Sequence, residues 1–384
     1  MSFRRLIGKI LLLLVMLLVL ISGVTIPGCT DLQAVPRGWS GVVIADGALF
    51  LGSMDGKLVA MDKSNQDRLW PDVLFEPKKQ TGGFGCARSP EAVAIYGTPT
   101  VTEELVYIAG YHGKLYAVNA KTGALRWVYP REDYFAGPVI GGPVASQGKV
   151  YIGSADERLY ALDAATGDLA WEFETEDKIW STPSVVGDTL YIGSFDKKLY
   201  ALNTADGSKR WQFETKGAIA STPLVYDGTV YIGSFDRYLY ALDVSDGSLK
   251  WKFLAENWFW ARPVVDSGVI YAGSVDGKVY ALRTENGDKV AEFNLGSPVI
   301  SSPVLADGAI IVASEEGKLY SLDITSSQES RTANQRQLAN LEEKIHAPLA
   351  AGNGVVYIHS DNDILYAVDT KSGVTLWSLP LKSE

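Results

Sequence analysis

The sequence predicts an all-β protein: an eight-bladed β-propeller of four-stranded antiparallel blades, preceded by an N-terminal signal or anchor segment. Three observations carry this prediction. A block of about 40 residues recurs along the chain, each block divides into four short strand-like segments, and a Trp recurs at one phase of the block. A period of this size is typical of architectures in which neighbouring units bury each other.

The first segment, residues 1–28, has the pattern of an export signal. An apolar run over residues 10–21 follows three cations, Arg4, Arg5 and Lys9. A basic start, a short apolar core and small residues after it are typical of a signal peptide, and the run is marginal in length for a spanning helix.

The segment Ile26-Pro-Gly-Cys29 is typical of a bacterial lipobox, which predicts lipidation of Cys29 and a short linker over residues 29–37. Two alternatives stay open: an uncleaved signal-anchor and a freely secreted protein. All three place the propeller outside the cytoplasm, in the periplasm or at the cell exterior, and the first two anchor it to the cell membrane.

Residues 38–384 contain the repeats. The segment Tyr151–Asp163 recurs as Tyr191–Asn203 and again as Tyr231–Asp243. Segments rich in Val, Ile, Tyr and Trp, divided by Gly and Asp turns, predict antiparallel meanders. We expect eight such sheets to close into one ring by face packing of the first on the eighth, with residues 30–37 contributing.

A Trp follows the small residue of the third strand by ten positions in six units: Trp70, Trp127, Trp171, Trp211, Trp251 and Trp377. The sixth unit has Ala291 at this phase and the seventh has Arg331. A repeated phase implies a repeated environment, so we interpret these residues as structural wedges between blades. Stacking on a ligand is the alternative interpretation.

The segment Ala161-Leu-Asp-Ala-Ala-Thr-Gly-Asp-Leu-Ala-Trp171 resembles the tryptophan-docking motif of the pyrroloquinoline quinone (PQQ) repeat β-propeller family. The resemblance covers residues of about 38 to 384. In size and layout the chain is similar to the short, non-catalytic branch that includes BamB, the lipoprotein scaffold of the outer-membrane β-barrel assembly machine. That branch implies a monomeric propeller that binds another protein or peptide and has no catalytic role.

The quinoprotein dehydrogenases of the same family carry an adjacent Cys–Cys pair, a calcium site and a catalytic Asp. This chain has only Cys29 and Cys86, far apart, so we expect no PQQ cofactor, no metal and no catalytic residue. Cys86 is interpreted as a loop thiol, with a mixed disulfide or a reactive thiol left open. The alternative functions are a quinone-dependent dehydrogenase-related protein and an extracellular ligand sensor.

The formal net charge is −10 and becomes −13 without the three cations of the leader. An acidic propeller repels nucleic acid, so we expect no nucleic-acid partner. A recurring turn position holds an acidic residue in most units, beginning with Asp55. Because such an Asp usually accepts hydrogen bonds from turn amides, we interpret these residues as structural.

Connections from the fourth strand of one blade to the first of the next lie on one face of a propeller. Four of them depart from the repeat, over residues 71–93, 130–138, 255–259 and 326–344, and the last is a candidate short helix. The position just before the first strand holds an aromatic residue in four units, whereas the eighth unit has Ile345 there. We predict a partner-binding face at one mouth of the ring, formed by Trp39, Tyr96, Trp180, Trp258, Trp260 and Arg262.

Overall fold

Repeated short apolar strands produce a ring of small sheets. The computed structural model describes residues 38–75, 93–132, 135–326 and 331–382. Its 32 strands form eight four-stranded antiparallel sheets, each built from four strands that are consecutive in sequence. The predicted eight-bladed propeller is therefore confirmed. Each sheet is a blade, numbered along the chain.

The strands of the first four blades have the following bounds. Blade one contains β1 (Val43–Ala45), β2 (Ala48–Gly52), β3 (Lys57–Asp62) and β4 (Val73–Leu74). Blade two contains β5 (Thr100–Val101), β6 (Leu105–Gly110), β7 (Lys114–Asn119) and β8 (Leu125–Tyr129). Blade three contains β9 (Val144–Ser146), β10 (Lys149–Gly153), β11 (Arg158–Asp163) and β12 (Leu169–Glu174). Blade four contains β13 (Ser184–Val186), β14 (Thr189–Gly193), β15 (Lys198–Asn203) and β16 (Lys209–Glu214).

The last four blades follow the same plan. Blade five contains β17 (Leu224–Tyr226), β18 (Thr229–Gly233), β19 (Tyr238–Asp243) and β20 (Leu249–Leu254). Blade six contains β21 (Val264–Asp266), β22 (Val269–Gly273), β23 (Lys278–Arg283) and β24 (Lys289–Asn294). Blade seven contains β25 (Val304–Ala306), β26 (Ala309–Ala313), β27 (Lys318–Ser326) and β28 (Arg331–Asn340). Blade eight contains β29 (Ala350–Gly352), β30 (Val355–His359), β31 (Ile364–Asp369) and β32 (Thr375–Pro380).

The core lies between the blades. First strands of neighbouring blades lie next to each other around the ring, so they form its inner wall and the fourth strands form its outer edge. The second and third strands, such as β14 and β15, are buried almost throughout. They are apolar on both faces because each blade packs on two neighbours, and eight apolar clusters fill the ring.

A contact between an indole and a glycine joins consecutive blades. Trp211 donates a hydrogen bond from Nε1 to the carbonyl oxygen of Val244 at 3.0 Å. Its ring covers Gly247, where a Cβ would come within 2.5 Å of the ring. This indole–glycine contact explains the Gly of the motif and the Trp that precedes it by one blade. Equivalent bonds of 2.9–3.2 Å are donated by Trp70, Trp127, Trp171 and Trp251.

Blade eight lies against blade one and closes the ring. His359 Nδ1 lies 2.9 Å from the carbonyl oxygen of Ser40, and the Asp363 carboxylate accepts a 3.0 Å bond from the backbone N–H of Met54. His359 Nε2 also lies 3.0 Å from Asp363. A shared apolar cluster adds the Trp377 ring, which lies beside Tyr357 with ring centroids 6.0 Å apart. Face packing of the first blade on the eighth was the expected mode of closure, and the strands of each blade remain contiguous in sequence.

Blade seven departs from two expectations. The helix expected within residues 326–344 is contradicted where the structure describes them, because Ser326 ends β27 and residues 331–340 form β28, which pairs with β27. The apolar spacing that suggested a helix has another reason: the segment packs on blade eight through Leu338, Leu341 and Ile345. In other blades the small residue of the third strand pairs with the recurring Trp. In blade seven this small residue, Ser321, pairs with Arg336, so Arg336 and not Arg331 occupies the Trp position.

Two further expectations about the connections need correction. Residues 255–259 follow the regular backbone plan: Ala255 N–H donates to the Arg237 carbonyl oxygen as Thr215 N–H does to Lys197. In blade eight, Ile345 is fully buried, and His346 occupies the position before the first strand. The shift by one residue arises because Pro348 lies two residues before β29, whereas the proline of blade seven directly precedes β25.

Candidate binding mouth

One end of the ring, called the mouth, is formed by the connections between blades and by the turns between second and third strands. Each connection presents one side chain just ahead of a buried residue. Ser181 shows how that position is held: its hydroxyl is buried, accepts the Gly193 N–H at 3.0 Å and donates to the Gly193 carbonyl at 2.9 Å. The residues presented in this way are Trp39, Tyr96, Ile140, Trp180, Ala220, Trp260, Ile300 and His346.

A continuous group of rings covers the mouth over blades four to six; we call it the aromatic patch. It comprises Trp180, Phe195, Phe235, Trp258 and Trp260. Phe235 stacks on Trp258 with centroids 4.7 Å apart and on Trp260 at 5.5 Å. Trp180 meets Phe195 at 4.5 Å and Trp260 at 6.4 Å. Trp258 is 45% exposed, so the patch presents a large apolar face to solvent.

A cation borders the aromatic patch. The Lys178 ammonium lies 4.4 Å from the Phe195 ring centroid and 5.1 Å from that of Trp180. This geometry is a cation–π contact, which holds the long side chain along the rings and adds a positive charge to the rim. The patch therefore combines an apolar surface with a charge at its edge.

A second aromatic group lies across the ring, on blades eight, one and two. Trp39 packs edge-on against Tyr96 at 4.5 Å and beside His346 at 5.4 Å. His346 Nδ1 lies 2.7 Å from the Asp361 carboxylate. Burial opposes the charged imidazolium, but the hydrogen bond to Asp361 and the charges of Asp361 and Glu315 outweigh it and raise the pKa of His346.

The mouth therefore contains five of the six residues predicted for the partner-binding face in two separate groups. Trp180, Trp258 and Trp260 lie together, whereas Trp39 and Tyr96 belong to the second group. The sixth, Arg262, lies two residues after Trp260 and is exposed.

Sequence reasoning missed Phe195, Phe235 and Tyr111. Phe195 and Phe235 complete the aromatic patch, and Tyr111 lies 5.3 Å from Tyr96. All three occupy one repeat position, in the turn that follows the second strand. The signal in the sequence is the aromatic residue that Phe195 and Phe235 place at the same phase of the repeat, and the structure ties this position to the connection between blades, as the Phe195 N–H donates to the Lys178 carbonyl oxygen.

The acidic turn residues make local bonds. Asp196 accepts the Lys198 N–H at 2.9 Å and the Tyr200 hydroxyl at 2.6 Å, and Asp236 and Asp276 repeat this pattern. Burial, the hydrogen bond and the nearby Asp196 charge raise the pKa of Tyr200. Within the four described ranges, no three His, Cys, Asp or Glu side chains lie close enough together to hold a metal ion.

The leader, Cys29, the linker over residues 29–37 and Cys86 lie outside the described residues, so their predicted roles stay predictions. Most of the irregular segment 71–93 is likewise outside them. In the part of the chain that the structure describes, no helix is long and apolar enough to cross a membrane.

Family models place this architecture among known proteins. A model described as the β-propeller of β-alanine-activating enzyme matches residues 136–384, and one described as outer membrane protein assembly factor BamB matches residues 80–182. The chain belongs to the PQQ-like, BamB-type β-propellers. The β-alanine-activating enzyme propeller model covers more than half of the chain, and the BamB model covers a shorter part of it.

Curated relatives of this PQQ-like propeller match over a short segment. BamB of Shewanella oneidensis is 28% identical over 91 residues, which cover 24% of this chain and 22% of that protein. BamB of Kangiella koreensis is 29% identical over 97 residues, covering 25% of this chain and 23% of that protein. The matched segment thus spans less than a quarter of either relative.

Solved structures match the fold along most of the PQQ-like propeller. The crystal structure of BamB from Moraxella catarrhalis has a TM-score of 0.67 and 20% identity, covering 85% of this chain and 93% of that one. The computationally designed protein Ika8 has the same TM-score with 14% identity, covering 85% and 95%. A designed protein matches as well as a natural one, so this similarity concerns the fold alone.

Proposed function

We propose that this protein is an exported, membrane-anchored scaffold that binds another protein at its aromatic patch. The observation that carries the proposal is the group of five packed rings with Trp258 exposed at its surface. Exposed aromatic groups on a rigid frame are typical of protein–protein contact sites.

The aromatic patch is suited to binding because its rings are held before a partner arrives. Trp260 and Trp258 both stack on Phe235, and the backbone beneath Trp180 is fixed by the buried Ser181 hydroxyl. Large rings with few rotatable bonds lose little conformational entropy on binding. The aromatic patch can therefore bind a partner with little loss of side-chain conformational entropy.

The relatives suggest which kind of partner to test. Two of them carry the name outer membrane protein assembly factor, and the proposal assigns this chain a similar place: a scaffold in an outer-membrane protein assembly complex. Lipidation of Cys29 would hold the propeller on the extracytoplasmic side of the membrane. The proposal includes a monomeric propeller, no catalytic role and no quinone cofactor.

The test compares partner recovery by three variants of the tagged full-length protein. Trp258→Ala and the double change Trp180→Ala with Trp260→Ala remove rings from the aromatic patch, whereas Tyr226→Ala removes an exposed ring on the opposite face. Solubilised native membranes are passed over each variant, and bound proteins are identified by mass spectrometry.

We expect the wild type and Tyr226→Ala to recover components of an outer-membrane protein assembly complex. The two patch variants should recover at least tenfold less, since about 1.4 kcal/mol of lost contact energy is a tenfold change. Equal recovery by Trp258→Ala would remove the patch from the binding surface. Because Trp258 is exposed, this single change also covers the case in which the double variant fails to fold.

A separate assay addresses catalysis. The purified protein is incubated with PQQ and calcium and assayed for dye-linked oxidation of alcohols and sugars. We expect no cofactor absorption band and no turnover above a boiled control. Either signal would replace the scaffold by the quinone-dependent alternative.

A further inference from the structure

The central channel carries a second ring of side chains below the mouth. It lies two residues further along each connection, and we call it the channel ring: Gly41, Thr98, Gly142, Thr182, Thr222, Arg262, Ser302 and Pro348. Side chains at this position reach the equivalent residue of the preceding blade, as Thr182 does to Gly142 and Ser302 does to Arg262, so the channel ring runs around the axis. Residues between the two rings, such as Ser181 and Ala261, are buried in the blades.

The channel ring is rich in hydrogen-bond donors. The Arg262 N–H donates to Ser302 Oγ at 3.1 Å, and the Gly142 N–H donates to Thr182 Oγ1 at 2.8 Å. Each hydroxyl thus uses its oxygen as an acceptor, and its own O–H remains a donor. Neither O–H has an acceptor among the described residues, so both are available to an acceptor in the channel.

Arg262 is the charged residue among the eight members of the channel ring. It makes no ion pair with any residue that the structure describes, whereas Arg158 and Arg210 both contact carboxylates. The side chain is exposed to solvent, and the protein atoms around it remove part of its water, which lowers the pKa of Arg262. A partly desolvated cation without a counter-charge is costly, and an anion beside it lowers that cost.

We propose that the channel ring binds a carboxylate, with the Arg262 guanidinium as the ion-pair partner and the hydroxyls of Thr182, Thr222 and Ser302 as further donors. The planar fork of a guanidinium matches the two oxygens of a carboxylate. Thr222 and Ser302 belong to the blades on either side of Arg262, so the donors approach from neighbouring directions.

The apolar surface above the channel ring narrows the ligand class. Trp260 shares its connection with Arg262 and lies in the aromatic patch. A ligand that places a carboxylate on Arg262 therefore has room for an apolar or aromatic body against the rings at the mouth. Two sources present this chemistry: a small aromatic or aliphatic acid, and the C-terminal carboxylate of a peptide. The inference is independent of the protein partner, because it concerns the channel and uses small probes.

Isothermal titration calorimetry on the full-length protein in detergent tests the site. The probes are 3-phenylpropionate, its amide, and an N-acetylated tripeptide ending in Phe with either a free or an amidated C-terminus. We expect at least one free acid to bind at least tenfold more tightly than its amide. Binding of 3-phenylpropionate identifies a small-acid site, whereas binding of the acid peptide alone identifies a terminus site.

Variants locate the binding. Arg262→Gln should weaken the acid by tenfold or more, and Arg262→Lys should cause a smaller loss because it keeps the charge without the fork. Arg283→Gln, an exposed cation at the end of a strand of the same blade, removes equal charge and should leave affinity unchanged. Thr182→Val and Ser302→Ala should each weaken acid binding several-fold. If Arg262→Gln does not fold, these two variants test whether the channel ring binds the carboxylate. Equal affinity for acid and amide, or unchanged binding in Arg262→Gln, overturns the proposal.

Discussion

A double-mutant cycle can measure how much the indole–glycine contact between blades four and five contributes to the free energy of unfolding. Trp211 is 8% exposed and donates to Val244 at 3.0 Å, so Trp211→Ala loses a buried ring and a hydrogen bond. Comparable truncations cost about 3–5 kcal/mol of unfolding free energy. Trp211→Phe keeps most of the packing and should cost about 1–2 kcal/mol, largely for the lost bond.

The glycine side of the contact supplies the coupling. Gly247 has a φ of +74°, and a Cβ there would lie 2.5 Å from the Trp211 ring. Gly247→Ala should therefore cost about 1–2 kcal/mol for the left-handed backbone and about 1–3 kcal/mol for the steric clash. Gly268 has the same φ of +74° with no neighbour closer than 3.9 Å, so Gly268→Ala isolates the backbone cost.

In the Trp211→Ala background the clash at residue 247 disappears. The double variant should consequently be more stable than the sum of the two changes by roughly 1–3 kcal/mol, while Trp211→Ala with Gly268→Ala should be additive within about 0.5 kcal/mol. Urea unfolding followed by far-ultraviolet circular dichroism measures each value. Additive costs in both cycles would refute the idea that the ring and the glycine form one contact.

Three further predictions follow from the ring and its leader. Burial lowers the pKa of His112 from 6.5 to about 4, so its contribution to stability is complete above pH 6.5 and is lost as pH falls toward 4. His112→Gln should reduce the loss of stability between pH 7 and pH 4.5 by roughly 2–3 kcal/mol, and parallel pH profiles would contradict this. Ala291 has no indole, so amide hydrogens of β24 should exchange about tenfold faster than those of β20, measured by mass spectrometry. Cys29→Ser should abolish metabolic palmitate labelling; an unlabelled wild type that begins at Met1 would favour the signal-anchor instead.

The fold was predictable because its physics is local and repeated. Each unit carries its own strands, turns and apolar faces, and Gly247 with Trp211 shows that even the contact between blades is encoded at a fixed phase. Blade seven was harder, because the pairing of Ser321 with Arg336 depends on a bulge near Leu338 and on the length of the hairpin. Neither feature follows from periodicity.

The mouth was predictable only in outline. Trp180, Trp258 and Trp260 were expected on one face, but their contacts with Phe195 and Phe235 depend on how three blades converge around the ring. His346 was missed because Pro348 suggested a different register. A one-residue shift in a connection leaves the strand pattern intact, so the sequence alone does not reveal it.

The distribution of tryptophans makes the molecule its own optical reporter. Of its ten indoles, six sit at the recurring Trp phase, five of them bonded to the next blade, and four lie at the mouth, where Trp258 is 45% exposed. A collisional quencher such as acrylamide will therefore extinguish mainly the red-edge emission of the mouth and spare the blue emission of the interior. Protection of that fraction reports occupancy of the mouth without any label.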